Sequence, residues 1–195
     1  SFASGGFIAD SAFVNGIVVN GSQQQWVTRN SKVDLWTNAV WNQVFSGVVG
    51  APAQSFPNPT YTTLSTSPVT REAPFLYQDA AGKFEVFVPA VQHDSAGTTW
   101  GNGAAPGSSL PIKRFFVATP ASSVEAINRE LRRGMNLLLT PGIYPLDTAI
   151  EVTRPDTVVL GLGFPTLIPE KGNVALRVSD PQRVLLSGML FDACL

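Results

Sequence analysis

The 195-residue chain has a single cysteine, Cys194, so no disulfide can form within it and the redox compartment stays open. It has a single histidine, His93, which excludes a site built from several histidines, and no metal site is expected. Charge is scarce as well: Asp, Glu, Lys and Arg make up 14% of residues, against roughly 25% in an average soluble domain. Thirteen Lys+Arg against fourteen Asp+Glu give a net charge of −1 with no basic stripe. Duplex nucleic acid and anionic membranes need clustered cations, so neither is an expected partner, and a neutral ligand suits this surface better. No run approaches the roughly 18 apolar residues of a membrane span, and no signal peptide opens the chain. No cofactor is expected. Thr140-Pro141-Gly142 and Gly161-Leu162-Gly163 are not phosphate loops, because neither is followed by a helix start with lysine.

What is present points to turn-rich β structure. Hydrophobic residues at 44% exclude a disordered chain, and 17 glycines with 15 prolines supply turns. Three strand-like runs begin at Phe7, Val27 and Val44, repeating after 20 and then 17 residues. Hairpins and stacked solenoid coils both fit that spacing. Asp10 and Asn30 stand three residues into successive runs, which suits a polar turn stack. Asn20-Gly21-Ser22 matches a glycosylation acceptor, a pattern short enough to arise by chance.

Residues 53–110 read as a connector. It holds a hairpin, Phe75–Asp79 and Lys83–Val88 around Ala80-Ala81-Gly82, then an exposed Gly-rich loop from His93 to Ser109. One helix follows, with Ser122 and Glu125 as a capping box and Gly134 as its stop. Val124, Ile127 and Leu131 give it one apolar face. Beyond it, the apolar triplets starting at Leu137, Val158 and Val184 overlay at offsets of 21 and 26 residues. Such triplets suit parallel strands with both faces buried, and the helix would cap the first coil.

Four phrases carry a resemblance to a known family: NLLLTPGIY from Asn136 to Tyr144, TRPDTVVLGLG from Thr153 to Gly163, QQQWVTRNS from Gln23 to Ser31, and WNQVFSG from Trp41 to Gly47. The chain resembles tandem right-handed parallel β-helix exo-β-1,3-glucanases of the laminarinase type, glycoside hydrolase family 55. The resemblance implies an all-β, pectin lyase-like solenoid fold. Residues 1–52 would be the last coils of a first helix, and 111–195 the capping helix and first coils of a second. It implies an internal piece of a secreted, inverting β-1,3-glucan hydrolase whose acid, a glutamate in a late coil of the second helix, lies beyond Leu195. These residues alone are then expected to be inactive. The expected partners are a β-glucan polysaccharide and either the remaining coils of the parent or self-association through open solenoid ends.

Inversion needs a protonated acid and, opposite it, a held water. Gln23 and Gln24, or Gln25, together with Ser46, are the positions that match water-holding residues; a hydrogen-bonded ladder along the solenoid is the plain alternative. Glu85, Glu125 and Glu151 read as structural or solvated. Trp26, Trp41 and Trp100 are candidate sugar platforms, because aromatic faces suit the apolar faces of glucose, although Trp26 and Trp41 also suit a core. A non-catalytic carbohydrate-binding solenoid and a structural β-helix remain as rivals.

Overall fold

The computed structural model describes residues 5–21, 24–179 and 181–193. The chain forms two compact units, one of residues 1–72 with 89–107 and one of residues 73–88 with 108–195.

In the first unit, β1 (Gly6–Ala9), β2 (Ala12–Val19), β3 (Trp26–Arg29), β4 (Lys32–Thr37), β5 (Gln43–Ser46) and β6 (Tyr61–Leu64) stack as solenoid coils. One sheet runs β1-β3-β5-β6, all parallel, and a second pairs β2 with β4, also parallel. Phe7 lies beside Val27 and Val27 beside Val44, the alignment expected from sequence. The strand β6 was missed, because its polar run Tyr-Thr-Thr-Leu lacks the apolar signature of the others. Asp10, Asn30 and Gly47 all adopt positive φ where successive strands leave the sheet. Their N–H groups bond the carbonyls of Arg29, Ser46 and Leu64, one coil onward, so the polar turn stack is real. Val33, Trp36, Phe45 and Val48 fill the interior. Also in this unit, β7 (Ser67–Thr70) pairs antiparallel with a strand at Gln92–Ser95. His93 therefore lies in a strand, and the loop expected from His93 onward starts only after Ser95.

The second unit opens with β8 (Phe75–Gln78) and β9 (Phe84–Pro89), the expected antiparallel hairpin. Counting Gln92–Ser95 as β10, the strand β11 (Gly107–Pro111) joins them in a three-stranded sheet. A short 3-10 turn at Ile112–Arg114 leads into β12 (Phe115–Ala118) and α1 (Val124–Arg132). Then follow β13 (Asn136–Leu139), β14 (Ile143–Leu146), β15 (Ile150–Val152), β16 (Val158–Gly161), β17 (Thr166–Pro169), β18 (Leu176–Val178), β19 (Leu185–Ser187) and β20 (Leu190–Phe191). They pair in parallel as β12-β13-β16-β19, β14-β17-β20 and β15-β18, three strands to a coil. The triplets at Leu137, Val158 and Val184 do lie side by side, but one residue out of the expected register: Leu137 faces Val159 and Val158 faces Leu185. A triplet that is apolar at every position has no inward–outward parity to fix its register.

Both faces of this sheet are covered, which is why its strands are continuously apolar. Leu137, Leu139 and Val159 face the solenoid interior with Tyr144, Ile150 and Leu167. Leu138, Val158 and Leu160 face Val86 and Leu76 of the hairpin. The helix caps the interior with Val124, Ile127 and Leu131. Its N-cap is Ser123, whose hydroxyl accepts from the Ala126 N–H, and not Ser122, which accepts from Thr119 in the preceding turn. At the other end Gly134, at φ +94°, lets its own N–H reach Leu131 and that of Met135 reach Glu130, closing the helix as expected.

Candidate functional site

The polar side chains with the most specific geometry lie on the outer face of the sheet β1-β3-β5-β6. Side chains alternate along each strand, so Thr28, Gln43 and Phe45 are buried inside while Arg29 and Ser46, neighbours in register, face outward. Arg29 grips Glu72 with both terminal guanidinium nitrogens, the second contact at 3.1 Å, and lies 5.6 Å above the centre of the Phe7 ring. The Ser46 hydroxyl lies 2.8 Å from that of Ser67, which also donates to the Ser46 carbonyl. Asn30, buried at the turn, donates to Ser95, whose hydroxyl lies 3.2 Å from Thr70. These pairs join residues 21 to 65 positions apart, brought together where Ser67–Glu72 and the strand at Gln92–Ser95 meet the coils. Sequence reasoning missed Arg29, Glu72, Ser67 and Ser95 for that reason. Inside the coil, Gln43 is fully buried, accepting from Asn20 and donating to the Trp41 carbonyl.

Of the residues singled out from sequence, Gln23 lies outside the described residues. Gln24 and Gln25 are exposed and precede β3. Since Trp26 faces Gln43, these two glutamines lie level with Trp41 and Asn42, at the opposite end of the strands from Ser46. About 3.3 Å per residue puts that separation on the order of 15 Å. Gln24, which precedes β3, and Ser46 are thus not in one cluster. Trp26 is half-buried and lines a half-open cavity of about 160 Å³ with Ile8, Val18 and Trp36. Trp41 is exposed just before β5. Trp100 is half-exposed yet fixed: its Nε1 donates to the Asp10 carbonyl at 2.9 Å, while the N–H and hydroxyl of Thr99 bind the Asp10 carboxylate at 2.6 and 2.8 Å.

The acids singled out from sequence have structural settings. Glu85 accepts from Tyr77, Glu151 pairs with Arg177 at 2.9 Å, and Glu125 sits in the first turn of α1, where a carboxylate suits the helix dipole. Among the described residues no three His, Cys, Asp or Glu side chains converge as a metal site would require.

Parallel sheets stacked coil on coil, with a helix over the first coil of the second unit, define an all-β parallel solenoid of the pectate lyase-like kind. Residues 115–195 match the LAM55 pectate lyase-like domain. The chain is 53% identical, over 98% of its length, to an exo-beta-1,3-glucanase of Streptomyces sp. (strain SirexAA-E / ActE), of which it spans 31%. The structure of sacteLam55A from Streptomyces sp. SirexAA-E superposes with a TM-score of 0.95 at 53% identity, covering 99% of this chain and 35% of that one. A variant of sacteLam55A in complex with glucose gives 0.91 at 51% identity, covering 98% of this chain and 34% of that one. The resemblance carried by the four sequence phrases is thereby established, and the chain corresponds to about a third of the relative it matches.

Proposed function

We propose that this chain works as part of an enzyme that releases glucose from the ends of β-1,3-glucan, with inversion at the anomeric carbon. The observation that carries the proposal is 53% identity along nearly the whole chain to a protein with exo-β-1,3-glucanase as its name. An identity that high, sustained over both units, supports a common architecture in the rest of the polypeptide. Inversion needs an acid at the leaving oxygen and, roughly 6.5–9.5 Å away, a group that holds water on the other face of the sugar. In this reading the acid belongs to a coil outside these residues, since Glu85, Glu125 and Glu151 already serve structural roles. Ser46, on the outer face of the sheet, holds the attacking water; Gln24, at the other end of the strands, lies too far away to share it. Trp41 and Trp100 offer ring faces to glucose, and Trp26 supports the sheet from within. A polysaccharide too large to enter a cell fits an enzyme working outside it, so secretion belongs to the same proposal.

The test compares laminarin hydrolysis by these 195 residues alone with hydrolysis by a polypeptide that also carries the following coils. Glucose of inverted anomeric configuration is expected from the longer polypeptide and none from the shorter. Hydrolysis by the 195 residues alone would place the acid among them. Binding of laminarin without hydrolysis by the longer polypeptide would make this a carbohydrate-binding solenoid.

A further inference from the structure

The second unit has a concavity that the proposed reaction does not use. It lies where the hairpin tip meets the turn after β11, and Gly82, Lys83, Phe84, Glu85, Ile112 and Lys113 line it. Its volume is about 550 Å³, inside the roughly 300–1,000 Å³ of small-molecule sites. Phe84, one of several phenylalanines at the surface, is 52% exposed and lines this concavity. Neither Lys83 nor Lys113 forms an ion pair among the described residues. Glu85 is held in place: Tyr77 donates to its Oε2 at 3.1 Å, and the Tyr77 oxygen lies 2.7 Å from the Ser109 hydroxyl.

We propose that this concavity is a second, non-catalytic glucan-binding site, seating a few glucosyl units of the same β-1,3-glucan against Phe84. The inference rests on the glucanase reading above, and its chemistry favours a sugar over other occupants. A pyranose ring lays its C–H face on an aromatic ring, while its hydroxyls both donate and accept. The ammonium groups of Lys83 and Lys113 can donate charge-assisted hydrogen bonds to those hydroxyls. A phosphate or sulfate would use the two ammonium groups but leave the Phe84 ring without a partner. An apolar segment of protein would bury both lysine ammonium groups without ion partners, at a cost that disfavours such a cover. A site of this kind would keep the enzyme on insoluble glucan between cleavage events, raising the local concentration of chain ends.

The experiment uses the intact polypeptide that carries these residues, with two substrates. Sedimentation with insoluble β-1,3-glucan reads retention, and laminaritriose, too short to occupy both sites, reads catalysis. Phe84→Ala and Lys113→Ala should each lower retention about twofold to tenfold, the worth of one lost stacking or charge-assisted contact. Neither should change kcat/KM on laminaritriose. Both side chains lie at the surface, so folding should survive. Retention unchanged in both variants, with laminaritriose still hydrolysed, would overturn the site and leave the glucanase reading standing. A Phe84→Cys variant that resists a maleimide in the intact polypeptide would show the concavity covered, and would overturn it equally. A wild-type polypeptide that leaves laminaritriose uncut would instead refute the glucanase reading on which the site rests.

Discussion

Asn128 on the helix and Glu151 on β15 are joined as two strands would be: the Glu151 N–H donates to Asn128 Oδ1 at 2.8 Å, while Asn128 Nδ2 donates to the Ala149 carbonyl, also at 2.8 Å. One side-chain amide thus completes the edge of the first coil, where the next strand of the ladder would otherwise be required. Asn136 does similar work within the stack, accepting from the Val158 N–H and donating to the Arg114 carbonyl. An open solenoid end invites pairing with another chain, and the helix with its buried Asn128 closes this one.

Asn128→Leu should therefore do more harm than its similar volume suggests. Two backbone groups would be left buried without partners, at about 1–3 kcal/mol each. A loss of about 2–4 kcal/mol in urea unfolding is expected, with faster hydrogen exchange at the Glu151 amide. Unchanged protection of that amide would show that the side chain is not its cap.

The helix start separates two adjacent serines. Ser123 accepts from the Ala126 N–H at 3.2 Å, and Ser122 serves the turn before it. Ser123→Ala should cost about 1 kcal/mol, within the range for lost N-caps, and Ser122→Ala less than that. Equal losses in thermal or urea unfolding would contradict the assignment of the cap.

The helix was legible in the sequence as a unit because its apolar spacing and Gly134 are local signals, but the choice between Ser122 and Ser123 depends on backbone angles one residue apart. The alignment of Phe7, Val27 and Val44 was legible from their spacing, which hairpins fit as well; the parallel pairing of β1, β3 and β5 decides for coils. Alignment slipped by one at Leu137 and Val158, where every position is apolar and the pairing is decided by contacts between coils. The outer-face cluster shows the same boundary. Ser46 could be singled out from its own phrase, whereas Glu72 reaches Arg29 across 43 residues and nothing near either residue announces the partner. Gln24 sits at the other end of the strands from Ser46 because the phrase containing it gives residue order without the register of the sheet.

Register in the second solenoid is held partly by two glycines. A Cβ on Gly161 would lie 2.4 Å from the Gly188 carbonyl oxygen, and one on Gly188 would lie 2.3 Å from that of Gly161. Gly188 also sits at φ +76°, where a side chain adds strain. Gly161→Ala should destabilise the unit by about 1–3 kcal/mol through overpacking against backbone that cannot rotate away. Gly188→Ala should lose at least as much, since strain adds to the clash. Tolerance of either alanine in chemical unfolding would mean that the two coils stand further apart than they do here.

The final prediction concerns pH. Tyr144 is buried, and its hydroxyl lies 2.9 Å from both the Ala118 and Thr140 carbonyls, which it can serve as donor. Burial penalises the phenolate and raises the pKa above the usual 10.0; the hydrogen bonds with Thr140 pull in the opposite direction with less effect. In the unfolded chain the phenol ionises near its ordinary value, so on raising the pH the unfolded state releases this proton first. The stabilisation is complete below about pH 10 and is lost as pH rises from there through the folded-state pKa. Tyr144→Phe keeps the ring in the core but removes both the donor and the titration. At neutral pH it should cost about 1 kcal/mol, the net worth of one hydrogen bond, with a further contribution from any carbonyl left unpaired. Above pH 10 the difference between wild type and variant should shrink, because the wild type alone carries the penalty for this group. Urea midpoints of the two proteins from pH 7 to 11 would show it, and subtracting one curve from the other cancels the titration of the lysines and the remaining tyrosines. A difference that stays constant across that range would mean that Tyr144 ionises in the folded chain as easily as in the unfolded one, which its buried position between two carbonyl oxygens does not allow.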